Sequence, residues 1–177
     1  AHPSEATIKF VTYAGEEQGL YGSEHLAQLA KDEGWNVQGV LNMDIVGSSL
    51  GGNGVRDPHT IRLFSEGVPT AENADETARR QILGGENDGV SRQLARYVKE
   101  TGENSATDMT VKLVYRRDRY LRSGDQVPWL ERRFAGVRFT EPNENFDHQH
   151  QDVRVEDGKQ FGDLPEFVDF PYLARVT

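Results

Sequence analysis

Three stretches at the start of the chain alternate between strand and helix patterns. "TIKFVTY" (residues 7–13) is β-branched and aromatic with partial alternation, which predicts a strand. "GSEHLAQLAKDEG" carries apolar residues at helical spacing, with Ser23 as the predicted cap and Gly34 at the stop. "VQGVLNMDIVG" (residues 37–47) is a nearly continuous apolar run, typical of a strand covered on both faces. This order predicts a βαβ unit and a mostly parallel sheet.

The remainder of the chain continues the alternation after an irregular interval. Residues 48–87 are turn-rich and polar, and we expect a long surface excursion with at most one helical turn. A helix over 88–102 and a strand over 110–116 follow, then a short helix near "QVPWLERRF" and a strand "GVRFTEP". The tail "LPEFVDFPYLARV" predicts a closing helix, interrupted or bent at Pro171. The pattern therefore predicts one α/β domain over residues 1–177.

The composition of the chain limits its size class, its binding partners and its metal chemistry. The 177 residues suffice for one domain, and 36% apolar content is ordinary for a globular protein. A net charge of -9 makes nucleic acid and anionic membrane poor partners, and no apolar run approaches the roughly 20 residues of a membrane span. The chain has no cysteine, which excludes disulfides and thiolate zinc sites. No signal peptide is recognisable in the first residues.

Acidic residues follow two of the predicted strands. Glu16 and Glu17 come directly after the first strand, and Asp44 lies within "VLNMDIVG". Because ligands of open parallel sheets bind beyond the carboxyl ends of strands, we expect the three carboxylates to share one location. The plainer alternatives are a solvated turn for the two glutamates and, for Asp44, burial against an arginine or a helix N-terminus.

A histidine-rich segment, "FDHQHQD", follows the strand "GVRFTEP". His148, His150 and Asp152 provide three candidate ligands in five residues, although a solvated turn is the alternative. Oxygen and imidazole ligands without thiolates suit a catalytic zinc better than a structural one. Zinc lowers the pKa of bound water to about 7, and a nearby carboxylate can then accept the proton. Two adjacent glutamates diverge at a strand end, so one can bind a metal while the other handles the proton.

Four motifs in order resemble the co-catalytic zinc aminopeptidases of metallopeptidase family 28, clan MH. "TIKFVTYAGEEQGLYGSEHL" is similar to the family's Glu-Glu and Gly-Leu-x-Gly-Ser block, and "LNMDIVG" to its Asn-Met-Asp segment. "RSGDQVPW" resembles the Ser-Asp-His-x-Pro-Phe stretch, with Gly124 inserted and Gln126 in place of histidine. "HQHQD" has the His-x-x-x-Asp spacing. The resemblance implies a three-layer sandwich of the zinc-exopeptidase type and hydrolysis next to a free N-terminus.

The resemblance also implies roles for individual residues. Glu16 matches the general base, Glu17 and His148 match ligands of one zinc ion, and Asp44 matches a ligand of the second. His150 is the alternative ligand if the register slips by two residues. Asp152 is expected to support the site from behind the metal ligands, orienting the histidine or its loop, or to be structural. Asp125 is a further supporting or alternative residue. A secreted or periplasmic location is a further expectation from the family.

The family's His-x-Asp segment and bridging aspartate have no match before residue 7, since His2 lacks an aspartate two places on. We therefore expect the C-terminal part of the catalytic domain without its N-terminal strands, an incomplete ligand set, and weak zinc binding and activity in this chain alone. An exposed sheet edge would favour self-association.

Other functions remain open at this point. A carboxypeptidase or amide hydrolase on the same frame is one, and a non-catalytic binding module is another. Four arginines offer a clamp for a substrate carboxylate, although solvated side chains are the more ordinary interpretation; they are Arg56, Arg62, Arg79 and Arg80. "GGNG" (residues 51–54) lacks the strand–turn–helix context of a phosphate loop.

Overall fold

The computed structural model describes residues 5–120 and 124–177, so His2, Arg122 and Ser123 of the motifs above lie outside it. In chain order the elements are α1 (Tyr21–Asp32), β1 (Val40–Met43), β2 (Thr60–Ser65), α2 (Ala74–Leu83), α3 (Val90–Gly102), β3 (Thr110–Tyr115), α4 (Val127–Glu131), β4 (Gly136–Thr140), β5 (Arg154–Glu156), β6 (Lys159–Phe161), a 3₁₀ turn (Pro165–Phe167) and α5 (Phe170–Val176). The predicted α/β class is confirmed.

Strands β1 to β4 form one mixed sheet in the order β1-β4-β2-β3. β1 runs parallel to β4, and β2 runs parallel to β3, while β2 and β4 are antiparallel. β4 is buried along its whole length because it has a neighbouring strand on each side. β5 and β6 form a separate antiparallel hairpin. The carboxyl ends of β1 and β4 therefore lie at the same edge of the sheet.

Helices cover both faces of the sheet. On one face α3 and α5 pack on alternate strand residues, and the core there includes Ile61, Leu63, Ala95, Val137 and Tyr172. Packing of α1 against α4 forms a second cluster that contains Ala27, Ala30, Trp129 and the partly buried Val40. The fold therefore has three layers, helix, sheet and helix, because the apolar side chains on each face of the sheet are buried by helices.

The predicted strand over residues 7–13 is wrong in this structure. These residues have no strand hydrogen bonds, and the Phe10 side chain is 96% exposed. A β-branched, aromatic sequence forms a strand only where a neighbouring backbone satisfies its N–H and C=O groups, and here none of the described strands pairs with it. The run 37–47 is also shorter than predicted: only Val40–Met43 is strand, and Leu41 and Met43 are exposed rather than covered.

The predicted excursion over 48–87 contains two regular elements that were not expected. β2 is a central strand of the sheet. α2 is a ten-residue helix whose N-terminus is capped by a capping box between Asn73 and Glu76. "TIRLF" alternates Ile61 and Leu63 inward, which is a strand signal that the surrounding turn residues obscured.

Two local details of the helices also differ from expectation. Ser23 lies inside α1, where its hydroxyl donates to the Leu20 carbonyl at 3.1 Å, and Leu20 occupies the cap position. Pro171 lies in the first turn of α5, so it begins that helix rather than bending it. The other predicted helices and strands are confirmed, with boundaries shifted by one to three residues. No helix among residues 5–120 and 124–177 is long and apolar enough to cross a membrane.

Candidate active site

The edge of the sheet where β1 and β4 end opens into a cavity of about 380 Å³, hereafter the first cavity. Asp44 directly follows β1, so the parallel pairing with β4 determines its position at this edge. The sequence-predicted site residues that line the cavity are Glu16, Glu17, Asp44, His148, His150 and Asp152. The structure therefore brings together residues from three distant parts of the chain.

The two glutamates are carried by a tight turn rather than by a strand end. The Glu16 carbonyl accepts hydrogen bonds from the N–H groups of Gly19 and Leu20, at 3.1 and 3.0 Å. Gly22, in the first turn of α1, lies so close to Ala14 that an added Cβ would meet its backbone nitrogen at 2.7 Å. The "GLYGS" sequence thus lets α1 start directly beside the turn, with both carboxylates at the cavity.

The Glu16 carboxylate is partly buried among other negative charges. Burial is the largest cause that raises its pKa above the usual range, followed by the charge of Glu17. Asp44 and Asp125 raise the pKa further, while the positive charge of Arg138 lowers it. Four acidic side chains are therefore close enough to affect one another.

A buried arginine neutralises part of this charge. Arg138 lies in the middle of β4 and is 3% exposed, and its guanidinium binds Asp44 at 2.8 Å and Asp118 at 2.7 Å. The Asp44 side chain remains 30% exposed toward the cavity. Asp44 is therefore paired with an arginine, as one of the two plainer alternatives for this residue predicted. One side of its carboxylate still faces the cavity.

The two histidines have different surroundings. His150 Nε2 lies 3.5 Å from the carboxylate Oε1 of Glu17. The His148 ring is stacked on Phe167 with 3.8 Å between ring centroids, and its Nε2 lies 3.2 Å from the side-chain nitrogen of Asn145. Both line the first cavity, and in this arrangement His150 is the one in contact with Glu17.

The expected supporting residues lie at different distances from the cavity. Asp152 is exposed on its rim, and the polar group beside the His148 ring is the Asn145 amide. Asp125 lies behind the cavity near Asp44, where burial raises its pKa and its buried Oδ1 has no hydrogen-bond partner among the described residues. The orienting role of Asp152 and the supporting role of Asp125 stay predictions.

Gln126, at the position where the motif has histidine, is fully buried. Its side-chain oxygen accepts from Asn42 at 2.9 Å, and its nitrogen donates to the Arg117 carbonyl at 2.8 Å. The oxygen and the nitrogen of the side-chain amide therefore both have hydrogen-bond partners within the protein. Through these two bonds Gln126 connects the loop after β3 to β1.

Two residues that line the first cavity have strained backbone conformations. Ile45 and His150 both have left-handed φ values, 62° and 54°. A β-branched residue at positive φ is rare, because its side chain crowds the backbone. Such strained residues persist where the surrounding contacts hold them, and they are common at functional sites.

Sequence reasoning missed the buried charges around the cavity. Glu144 is bound by Arg62 at 2.5 Å and also by Arg119, which lines the first cavity. Glu141 directly follows β4, and burial raises its pKa to about 7. A signal for these residues existed: "GVRFTEP" places an arginine and a glutamate in an otherwise apolar strand, where charges need partners.

Three of the four arginines proposed as a carboxylate clamp each pair with a different acidic residue. Arg56 pairs with Asp169, and Arg80 pairs with Glu72. Arg62 is bound to Glu144. These side chains therefore stabilise local structure in different parts of the chain.

A sequence model described as "Peptidase family M28" matches residues 1–156. The chain belongs to peptidase family M28. A probable zinc metalloprotease of Leptosphaeria maculans is 55% identical over 171 residues, which is 97% of this chain and 40% of that protein. A probable zinc metalloprotease of Pyricularia oryzae is 55% identical over 175 residues, 97% of this chain and 35% of the relative. The M28 chain thus spans about two fifths of the length of these curated relatives.

The fold of this M28 chain also matches a solved structure. The LapA aminopeptidase of Legionella pneumophila superposes with a TM-score of 0.54, covering 98% of this chain and 37% of that one. The two sequences are 19% identical, so the match shows a shared fold. Membership of the family rests on the sequence match.

The residues around the first cavity fit zinc in their chemistry. Carboxylate oxygens and imidazole nitrogens are the ligand types that catalytic zinc takes, and the chain contains no thiolate. In residues 5–120 and 124–177, however, no three His, Cys, Asp or Glu side chains are close enough together to hold a metal ion. The donors share a cavity without forming a closed ligand set.

Proposed function

We propose that this M28 protein is a zinc-dependent exopeptidase that removes residues from a free N-terminus. The observation that carries the proposal is the shared cavity: Glu16, Glu17, Asp44, His148 and His150 all line it, at the carboxyl ends of two parallel strands. A peptidase of this family acts on peptides. The names of the fungal relatives support zinc as the metal.

Two groups of residues would hold the zinc ions. Glu17 together with His148, or with His150 as the alternative, supplies carboxylate and imidazole ligands for one ion, and the exposed side of Asp44 supplies a ligand for a second. When bound, zinc polarises the substrate carbonyl and makes water acidic enough to attack at neutral pH. Arg138 holds the other side of Asp44, which fixes the direction of that carboxylate.

Glu16 is assigned as the general base. It is adjacent to Glu17 on the same turn but has a different role, because it accepts the proton of the attacking water and delivers it to the leaving amine. The turn that fixes the Glu16 backbone leaves its side chain at the cavity.

The test is the hydrolysis of leucine p-nitroanilide by the full-length protein and its Glu16→Gln variant. General-base removal lowers turnover by roughly 100- to 10,000-fold. Glu100→Gln, an exposed change on α3, serves as the matched control and should leave turnover unchanged. Equal turnover by Glu16→Gln and the parent would contradict the assignment of Glu16.

A second assay separates an aminopeptidase from a carboxypeptidase on the same frame. The same peptide is offered with a free and with an acetylated N-terminus, and with a free and an amidated C-terminus. We expect acetylation to abolish cleavage and amidation to leave it unchanged. The reverse pattern would support a carboxypeptidase.

We also propose that the 177-residue chain by itself binds zinc weakly and turns over little substrate. The support is that its described residues bring no three metal donors together, and that Arg138 shares Asp44. Efficient hydrolysis of leucine p-nitroanilide by the isolated chain, abolished by Glu16→Gln, would overturn this proposal.

Self-association through the edge of β1 is a further proposal. Among the described strands β1 pairs with β4 alone, so its other side has unpaired backbone groups. The exposed side chains of Leu41, Met43 and Phe10 lie on β1 and in the unpaired segment 7–13. Light scattering should detect a dimer that Leu41→Lys weakens, whereas a monomer at all concentrations would refute the proposal.

A further inference from the structure

A second cavity, of about 300 Å³, adjoins the first. Ile45, His148, Gln149 and Asp163 line both, so the two cavities are separated by a wall of few side chains. A peptide whose scissile bond lies in the first cavity would therefore extend one neighbouring group into the second.

One side of the second cavity is apolar. Ile45, Phe167 and Val168 line it, and the Phe167 ring is stacked on the ring of His148, which also lines the cavity. Apolar walls of this kind favour an aliphatic chain, because its burial removes methylene groups from water.

The other side is acidic. Glu141 lines the cavity and is 4% exposed, and its carboxylate Oε2 accepts a hydrogen bond from the Ser48 N–H at 2.9 Å. Within residues 5–120 and 124–177 this is the single hydrogen bond to that carboxylate. Asp163 is exposed and lines the same cavity.

Arg62 and Arg119 are near enough for their charges to favour the ionised form of Glu141, but neither forms an ion pair with its carboxylate. The guanidinium of Arg62 donates to the backbone carbonyl of Glu141 and to the carboxylate of Glu144, and Arg119 binds Glu144 as well. No Lys or Arg in the described part of the chain forms an ion pair with the Glu141 carboxylate. A buried carboxylate without an ion-pair partner is unfavourable, and a ligand cation would relieve that cost.

We propose that the second cavity is the subsite for the side chain of the substrate's first residue, and that Glu141 and Asp163 make it selective for lysine or arginine. The aliphatic stem would lie along Ile45, Phe167 and Val168, and the ammonium or guanidinium group would meet the carboxylates. This inference rests on the proposed function, because it assumes that the first cavity is where the peptide bond is cleaved.

Binding and hydrolysis are measured separately. The binding probes are L-lysinamide and L-norleucinamide, which share an α-amine and an aliphatic stem but differ in the terminal cation. By calorimetry on the purified protein we expect lysinamide to bind at least about tenfold more tightly. Glu141→Gln should remove most of this preference, and the exposed control Glu166→Gln should retain it.

Asp163→Asn keeps the test decisive if Glu141→Gln fails to fold. Asp163 is exposed, so its substitution leaves the core intact. We expect it to reduce the preference for lysinamide by about two- to fivefold. Equal binding of the two amides by the parent protein, no binding of either, or a preference unchanged in both variants would overturn the inference.

Hydrolysis of lysine and norleucine p-nitroanilides tests the peptidase function separately from the selectivity of the subsite. A lysine preference in binding with no hydrolysis of either substrate would refute the peptidase function while supporting the cationic subsite. Hydrolysis of both substrates at equal kcat/KM would support the peptidase and refute the subsite.

Discussion

Two of the regions that form the first cavity are held in place very differently. β4 has strands on both sides and is buried along its length, so the chain at Arg138 is fixed by the sheet. The segment 7–13, which leads into Glu16 and Glu17, pairs with no strand in residues 5–120 and 124–177, and its Phe10 is 96% exposed. Regions with few buried contacts open at low free-energy cost. One wall of the site is therefore rigid, while the other depends on a turn and the start of α1.

The largest effect on stability should come from the centre of the rigid wall. Arg138→Met leaves the buried carboxylate of Asp118 and the partly buried one of Asp44 without their shared ion-pair partner. We expect the free energy of unfolding to fall by about 3–5 kcal/mol. Urea denaturation measures this directly.

Arg133→Met is the matched control, because Arg133 forms an exposed ion pair with Glu76. Its loss should cost much less than the loss of Arg138, because solvent screens an exposed ion pair. Equal effects of the two substitutions would mean that the Arg138 network does not hold the β4 side of the site.

The next effect depends on pH. Burial raises the pKa of Glu141 from 4.5 to about 7, so the folded state favours the protonated form. Below pH 4.5 the carboxyl group is protonated in both states. As the pH rises from 4.5 through 7, the unfolded state ionises first, so the folded state loses stability relative to the unfolded state. Between pH 4.5 and 8 the parent should lose roughly 3 kcal/mol relative to Glu141→Gln.

This pH dependence is measured as the difference between two urea titration series. Glu166→Gln, at an exposed position, should follow the parent at every pH. Parallel stability curves for the parent and Glu141→Gln would show that the Glu141 carboxyl has an ordinary environment.

The smallest effect is expected in the unpaired segment. Phe10→Ala should change the free energy of unfolding by less than about 0.5 kcal/mol, since the ring makes little contact with the fold. Phe139→Ala, in the buried centre of β4, should cost about 3–5 kcal/mol. A cost above about 1 kcal/mol for Phe10→Ala would show that segment 7–13 packs on the sheet in solution.

The same contrast explains what the sequence could predict. α3, β3 and β4 have patterns that agree with their tertiary environment, and all three were predicted correctly. The strand pattern of residues 7–13 expresses a preference that needs a partner strand, which the sequence of the segment does not encode. β2 was missed for the opposite reason: its short alternating run is stabilised by pairing with β3 and β4.

The candidate site was predictable in part. The sequence predicted that residues 16, 17, 44 and 148 would meet at one edge of the sheet because each follows a strand. All four line one cavity, although residues 16 and 17 follow no strand in this structure. The contacts within the cavity were not predictable, since they depend on side-chain directions. Neither the contact of His150 with Glu17 nor the ion pair of Asp44 with Arg138 follows from residue spacing.

The whole proposed function depends on the binding of zinc by Glu17, Asp44 and one of the two histidines. Calorimetric titration of the metal-free, full-length protein with Zn²⁺ measures this binding. We expect two bound ions, with one lost or weakened at least about tenfold in Glu17→Gln and the other in Asp44→Asn. The control Glu100→Gln should bind as the parent does. No zinc binding by the parent, or unchanged stoichiometry and affinity in both variants, would contradict joint binding and support a non-catalytic binding module.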